Sequence, residues 1–317
     1  MNYIALAFLL VLLLLIYFRV AVKVKIFDTP NLRSSHGQLT IRGGGIVFPL
    51  SIIVWFFWEN NVYLLFTSGL VLISVVSFID DIHSISAAKR LVFQILAAFL
   101  LLYQIPYFES NILVGALALI VCVGWINSFN FMDGINGITA LYSLVSLSTF
   151  YFLNSTYLII EPDFIEFVII SGLVFSYFNV RKTASTFAGD IGSVSMAFIL
   201  TFLLLSFVMA TNNWYYILFF LVYGIDAGVT VCERLLRGEN IFKPHRTHLY
   251  QYLANEKGIP HIRVALIYAG TQLITNVLLV FFFPAEREYS LLVIAGIIFL
   301  AVCLYLLLKR RTILSLS

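Results

Sequence analysis

Asp28, Asp80, Asp81, Asp133, Asp190 and Asp226 each stand at or near the edge of a long apolar run. Ionisable groups beside apolar helices cost free energy and tend to mark function. Asp80 and Asp81 are adjacent, in Asp80-Asp81-Ile-His-Ser-Ile-Ser-Ala-Ala-Lys89-Arg90. Neighbouring carboxylates repel unless a cation or proton lies between them. The pair therefore suits Mg²⁺ binding or proton transfer, and equally a solvated helix end. Asn127, Asn130 and Asp133 recur every three residues ahead of Gly134, Asn136 and Gly137, which places them on one helical face before the helix breaks. A row of oxygen-bearing side chains there has no packing rationale and reads as functional.

Three further segments carry candidate groups. Asp190, in Phe187-Ala-Gly-Asp190-Ile-Gly192-Ser193, is either a helix N-cap or a ligand for a hard metal ion, and Phe187 either stacks on a flat base or packs in the core. Lys243-Pro-His245-Arg246-Thr-His248-Leu-Tyr250 sets cations three residues apart, a spacing able to grip a pyrophosphate. Arg42-Gly-Gly-Gly45 follows Asp28-Thr-Pro-Asn-Leu-Arg-Ser-Ser-His36, and its glycines serve a turn or a close approach of backbone to phosphate. Asp226 is expected to pair with a basic group such as Arg234 rather than line the site.

The elements that must position these groups are apolar helices. Of 317 residues 61% are hydrophobic and only 11% charged, with a mean hydropathy of +0.99. A soluble domain carries roughly 45–50% apolar and about 25% charged residues, so this chain cannot cover itself with polar surface. Apolar runs at about 2–18, 45–58, 62–79, 87–105, 112–128, 138–154, 164–178, 194–211, 214–232, 263–283 and 290–308 predict eleven membrane spans in an all-α polytopic protein. The first run lacks the flanks of a cleavable signal peptide. Arg19, Lys23 and Lys25 follow it, which sets the N-terminus outside. Alternation from there puts eighteen of the nineteen Lys and Arg residues in the cytoplasm, leaving only Arg287 outside, and gives a cytoplasmic C-terminus. The expected organisation is one transmembrane catalytic domain, 1–317, with cytoplasmic loops 19–44, 80–90, 127–137, 179–193 and 233–263. The formal charge of +3 comes with no basic helix, which argues against nucleic acid. Cys122, Cys232 and Cys303 are too scattered for a disulfide framework or a zinc site.

The ordered set of motifs, from Asp28 to about Tyr250, resembles the polyprenyl-phosphate N-acetylhexosamine-1-phosphate transferase superfamily of glycosyltransferase family 4 type. Such enzymes initiate O-antigen, enterobacterial common antigen and teichoic acid synthesis at the inner membrane. The resemblance implies transfer of a sugar 1-phosphate from a UDP-sugar to undecaprenyl or another polyprenyl phosphate, releasing UMP. It implies Mg²⁺ (or Mn²⁺) on Asn130 and Asp190. Asp80 and Asp81 would orient or deprotonate the acceptor phosphate, in direct attack or through a covalent Asp intermediate, so that Asp80, Asp81 and Asp190 form the catalytic set. Asp133, Asn136 and Phe187 would meet the nucleotide, with Asn136 and Phe187 on the uracil. Lys89, His245, Arg246 and His248 would hold sugar or phosphates. A homodimer is compatible with the resemblance.

Asn136 stands where many relatives carry a second Asp, His245 replaces a common acidic residue, and Tyr250 takes the place of a frequent His. The consecutive histidines of the peptidoglycan translocase are absent, which favours a UDP-N-acetylhexosamine donor over a MurNAc-pentapeptide one. The alternative is a transporter or flippase of polyprenyl-linked sugars. That would place ionisable residues near span centres, whereas the apolar runs here are nearly free of charge.

Overall fold

The computed structural model describes residues 2–28, 39–105, 112–240, 246–283 and 291–316. Every predicted apolar run is helical. In chain order the helices are α1 (Tyr3–Val24), α2 (Val47–Trp58), α3 (Leu64–Ile82), α4 (Ala87–Gln104), α5 (Ile112–Phe131), α6 (Ile138–Tyr157), α7 (Pro162–Asn179), α8 (Gly189–Thr211), α9 (Leu221–Leu236), the single turn α10 (Leu249–Gln251), α11 (His261–Phe282) and α12 (Leu291–Leu314). A 3-10 turn, Gly44–Ile46, leads into α2, and a longer one, Trp214–Phe220, leads into α9.

Eight of these units are long and apolar enough to cross a membrane: α1, α3, α4, α5, α8, the Trp214–Leu236 unit, α11 and α12. The expectation of eleven spans is met only in part. Gly44–Trp58 is shorter, α6 is rich in Ser and Thr, and α7 carries Asp163 and Glu166.

The polar residues of α6 have partners inside the bundle. Tyr142 donates to Gln272 Oε1 on α11 (2.8 Å), and Asn276 donates to Thr149 Oγ1 (2.9 Å). Gln272 Oε1 also accepts the Val222 backbone N–H (2.9 Å), close to where the 3-10 turn passes into α9. Backbone groups freed by such a break must be satisfied within hydrocarbon, and the glutamine does so.

Helix α8 is the centre of the bundle, packing against α2, α3, α5 and α6. Its apolar residues run around its whole circumference, the pattern of a helix buried on all sides, and nearly nine-tenths of its apolar stretch is buried. Phe66, Phe164, Phe198 and Phe202 from α3, α7 and α8 interlock, with Phe66 and Phe202 centroids 4.2 Å apart. That cluster lies near the start of α3, whose other end carries Asp80 and Asp81, about 20 Å away at 1.5 Å per residue.

The described chain is not purely helical. Strands β1 (Phe27–Asp28) and β2 (Thr40–Ile41) pair antiparallel, and Ile41 bridges in parallel to Thr186. Phe187 N–H donates to Ile41 (2.8 Å), Gly44 N–H to Phe187 (2.9 Å) and Gly45 N–H to Ala188 (3.1 Å). This stitching ties the entry of α2 to the entry of α8. It needs glycine, because a Cβ on Gly45 would collide with Gly192 Cα.

Candidate active site

Alternating helix directions bring the ends of α3 and α5 and the beginnings of α2, α4 and α8 to one end of the bundle. There Asp80, Asp81 and Asp190 meet two arginines. Arg42 Nε lies 2.7 Å from Asp81 Oδ1, and its Nη2 lies 3.2 Å from Asp190 Oδ1. Arg90 Nη1 lies 2.8 Å from Asp80 Oδ2 and 3.4 Å from Asp190 Oδ2. Each arginine therefore bridges Asp190 to one member of the adjacent pair. With all groups ionised, three carboxylates against two guanidinium groups leave one negative charge uncompensated.

The three carboxylates differ in access. The Asp81 side chain is sealed (0% exposed), that of Asp80 is 7% exposed and that of Asp190 is 17% exposed. Asp81 is engaged in structure: its two oxygens accept the Asp190 and Ile191 backbone N–H groups at 2.8 and 3.0 Å. A carboxylate at a helix N-terminus satisfies otherwise orphaned donors and suits the helix dipole, so Asp81 caps α8 and fixes Asp190. Asp80 in turn accepts the Ile85 N–H at 2.5 Å, holding the α3–α4 turn. Burial opposes the charge on Arg42, but Asp81 and Asp190 outweigh it and hold its pKa above the ordinary value.

The row expected on one helix is split, since α5 ends at Phe131 and Asp133 lies just beyond it, and its members face three different neighbours. Asn127 donates to Gln94 Oε1 (2.7 Å), Asn130 Oδ1 accepts from Ser193 Oγ (2.7 Å), and Asp133 Oδ1 accepts from Thr139 Oγ1 (2.6 Å). Asn130 and Asp190 line one cavity together with Arg90, Gln94 and Ser77. Burial pushes the Asp133 carboxyl up to about 6, against the opposing hydrogen bond from Thr139.

The remaining expected residues lie around this cluster. Asn136 is buried, and its amide donates to the Arg181 and Lys182 carbonyls (3.0 and 3.3 Å), which engages it with the α7–α8 loop. Asn179 makes the matching clamp, accepting from Gly137 N–H and donating to the Thr186 carbonyl. Phe187 is half-buried in the stitched strand region. Lys89 is exposed on the first turn of α4, and its neighbour Arg90 is the cation that reaches the carboxylates.

His248 is buried, with Nδ1 3.1 Å from Asp226 Oδ1. Asp226 was expected to pair with Arg234; it pairs with His248 instead, while Arg234 contacts Glu239 and the Asn240 carbonyl. The fold decides this because Asp226 points into the junction of α9, α11 and α12. Arg246 is half-buried, and His245 lies outside the described residues.

Sequence reasoning did not single out Arg90, Gln94, Ser193 or Thr139 as site groups. Their signal was weak, since each is a common residue on an ordinary helix and gains meaning only from its neighbour across the bundle.

Residues 62–209 match Glycosyl transferase family 4. The chain is 24% identical over 275 residues to a probable undecaprenyl-phosphate N-acetylglucosaminyl 1-phosphate transferase of Bacillus subtilis, covering 79% of this chain and 75% of the relative. It is 24% identical over 266 residues to the undecaprenyl-phosphate alpha-N-acetylglucosaminyl 1-phosphate transferase of Escherichia coli, covering 74% and 71%. It is 28% identical over 244 residues to a phospho-N-acetylmuramoyl-pentapeptide-transferase of Fervidobacterium nodosum, covering 70% and 76%. The region that matches the family model contains Asp80, Asp81, Asn130, Asp133 and Asp190, and the relatives that the chain resembles are named as polyprenyl-phosphate hexosamine-1-phosphate transferases.

Proposed function

We propose that the protein transfers N-acetylhexosamine 1-phosphate from a UDP-sugar to undecaprenyl phosphate. The observation that carries this is the ion-pair cluster in which Asp80, Asp81 and Asp190 outnumber Arg42 and Arg90, with Asp190 and Arg90 lining a cavity that Asn130 shares. Oxygen ligands with an uncompensated negative charge fit a hard divalent cation such as Mg²⁺ or Mn²⁺, and Asn130 and Asp190 are the residues that would hold it. When bound, such an ion would supply charge neutralisation for the donor's phosphates.

In the reaction an oxygen of the lipid phosphate bonds to the sugar-bearing phosphorus. The bond between that phosphorus and the bridging oxygen breaks, and UMP departs with the bridging oxygen. Phosphoryl transfer depends mostly on positioning and charge. Asp80 faces the acceptor phosphate, while Asp81 holds Arg42 and the start of α8. Arg42 and Arg90, each about one-third exposed, lie within reach of phosphate oxygens if they exchange a carboxylate partner for one. Asp133, Asn136 and Phe187 flank the nucleotide, and Lys89, His245 and Arg246 belong to the side that meets sugar and phosphates, whereas His248, expected there too, is buried against Asp226 and holds the turn that carries Arg246. The site faces the cytoplasm of an inner-membrane protein with its N-terminus outside and its C-terminus inside. Charged substrates then meet in water while the lipid tail stays in hydrocarbon.

The test is an assay of purified protein with polyprenyl phosphate, Mg²⁺ and a panel of UDP-sugars that includes UDP-GlcNAc and UDP-MurNAc-pentapeptide. UMP release should require lipid, a UDP-N-acetylhexosamine and the metal, and chelation should abolish it reversibly. Asp190→Ala should lower turnover by roughly 10²- to 10³-fold. Full activity of that variant would remove the metal assignment, and preference for the pentapeptide donor would replace the substrate.

A further inference from the structure

Asp226 lies beyond residues 62–209 and outside the carboxylate cluster, yet it collects more partners than any carboxylate there. Its Oδ1 lies 3.1 Å from His248 Nδ1 and accepts from Leu249 N–H (3.2 Å) and Tyr305 Oη (2.9 Å). Its Oδ2 accepts from Tyr268 Oη (2.5 Å) and Tyr250 N–H (3.4 Å). The donors come from the loop before α10, from α10 itself, from α11 and from α12, so one buried side chain on α9 ties four segments together. A buried carboxylate is tolerable only when so fully hydrogen-bonded, and such satisfied networks hold their members rigidly.

The network does not end there. Tyr250, fully buried, donates from Oη to the Phe131 carbonyl at 2.9 Å. Phe131 is the last residue of α5, and its orphan carbonyl is one that a helix C-terminus leaves open. The Tyr250 ring also lies against Gly134, where an added Cβ would meet it. Asn130 and Asp133 flank this contact directly. We propose that Asp226 is a positioning residue: it locks the His248–Tyr250 turn, and Tyr250 in turn sets the end of α5 that presents Asn130 and Asp133 to the donor. His248, sealed against Asp226, then serves as a strut of this lock, and Arg246, two residues before it, sits where the lock holds the chain in place.

The proposal rests on the reading of Asn130 and Asp133 as donor-binding groups, and hydrogen exchange tests the mechanical part without any assay. In Asp226→Asn one carboxylate oxygen becomes an amide, so two or three donors lose their acceptor. In Tyr250→Phe only the bond to Phe131 is lost. Amide exchange of the full-length protein in lipid nanodiscs should quicken in both 247–252 and 131–137 for Asp226→Asn, and in 131–137 for Tyr250→Phe. The KM for the UDP-sugar should rise roughly five- to tenfold in Tyr250→Phe, with kcat and the KM for polyprenyl phosphate changed less than about twofold. If Asp226→Asn does not fold, Tyr250→Phe decides alone. Unchanged exchange in 131–137 in the variants overturns the proposal, as does an equal rise in both KM values. A wild-type protein that releases no UMP would end the transferase reading, and the exchange data would still decide whether Asp226 holds α5.

Discussion

At the scale of single residues, neighbouring carboxylates in the sequence have different occupations in the fold. Asp80 and Asp81 are adjacent and chemically alike, yet Asp81 caps α8 with both oxygens while Asp80 holds the α3–α4 turn and Arg90. The pair was legible as a functional candidate because adjacent carboxylates need a reason. The division of labour was not, because it depends on where the start of α8 lies. Asp133 offers a test at this scale. Its carboxyl titrates near 6 because burial penalises the charge, so a drop from pH 7 to pH 5 protonates most of it. Donor affinity should fall over that window, earlier than an ordinary Asp near 3.9 would allow. Asp133→Asn should bind the donor more weakly at pH 7 and show no such limb, as read by calorimetric titration with the UDP-sugar. The raised value also means that ionised Asp133 costs folding free energy, a cost incurred as pH rises from about 4 through 6. The same variant should therefore gain thermal stability at pH 7.5 relative to wild type, with the gain shrinking toward pH 4.

At the scale of elements, the eleven apolar runs mark their helices because a long hydrophobic segment has few other ways to satisfy its backbone. The glycines at 43–45 read only as a turn or a close approach until α2 and α8 are placed together. Gly189 is required by conformation and space together. Its φ is +70°, and a Cβ there would lie 2.6 Å from Asp81 Oδ2 and 2.8 Å from Gly43 N. Gly189→Ala and Gly45→Val should each cost about 1–3 kcal/mol by overpacking, together with lost turnover as the α8 cap is displaced. Gly124, with open space around its would-be Cβ, is the control: Gly124→Ala should leave melting temperature and turnover unchanged or slightly improved. The short strands β1 and β2 were invisible to periodicity, since two residues carry no pattern. They exist because loop backbone near the site needs partners.

At the scale of the whole molecule, the charge asymmetry and the gathering of polar groups agree in direction. The segments predicted to share the cytoplasm include those that carry Arg42, Asp81, Arg90, Asp133 and Asp190, and the structure collects these residues at one end of the bundle. Membrane sidedness itself is a separate prediction. In a background lacking Cys122, Cys232 and Cys303, a cysteine at Glu59 should react with an impermeant thiol reagent in intact cells. One at Ser84 should react only after the membrane is opened. The reverse pattern would invert the topology. Helix α12, only about a tenth buried across its apolar stretch, contributes little packing surface. Through Tyr305 and Lys309 it still joins the polar ties to α9.

The sequence by itself determined the class of molecule and the segments in which chemistry could reside. Hydrocarbon length, charge bias and the spacing of polar residues along one helix are local properties, and a chain carries them without reference to its fold. Which carboxylate touches solvent, which arginine neutralises it and which aspartate merely holds a loop were decided only in three dimensions. Such roles depend on burial and on partners a hundred or more residues away, as between Asp81 and Asp190 or Phe131 and Tyr250. Electrostatic and hydrogen-bond energies fall off over a few ångströms, so they belong to the packed helices and cannot be read from order along the chain.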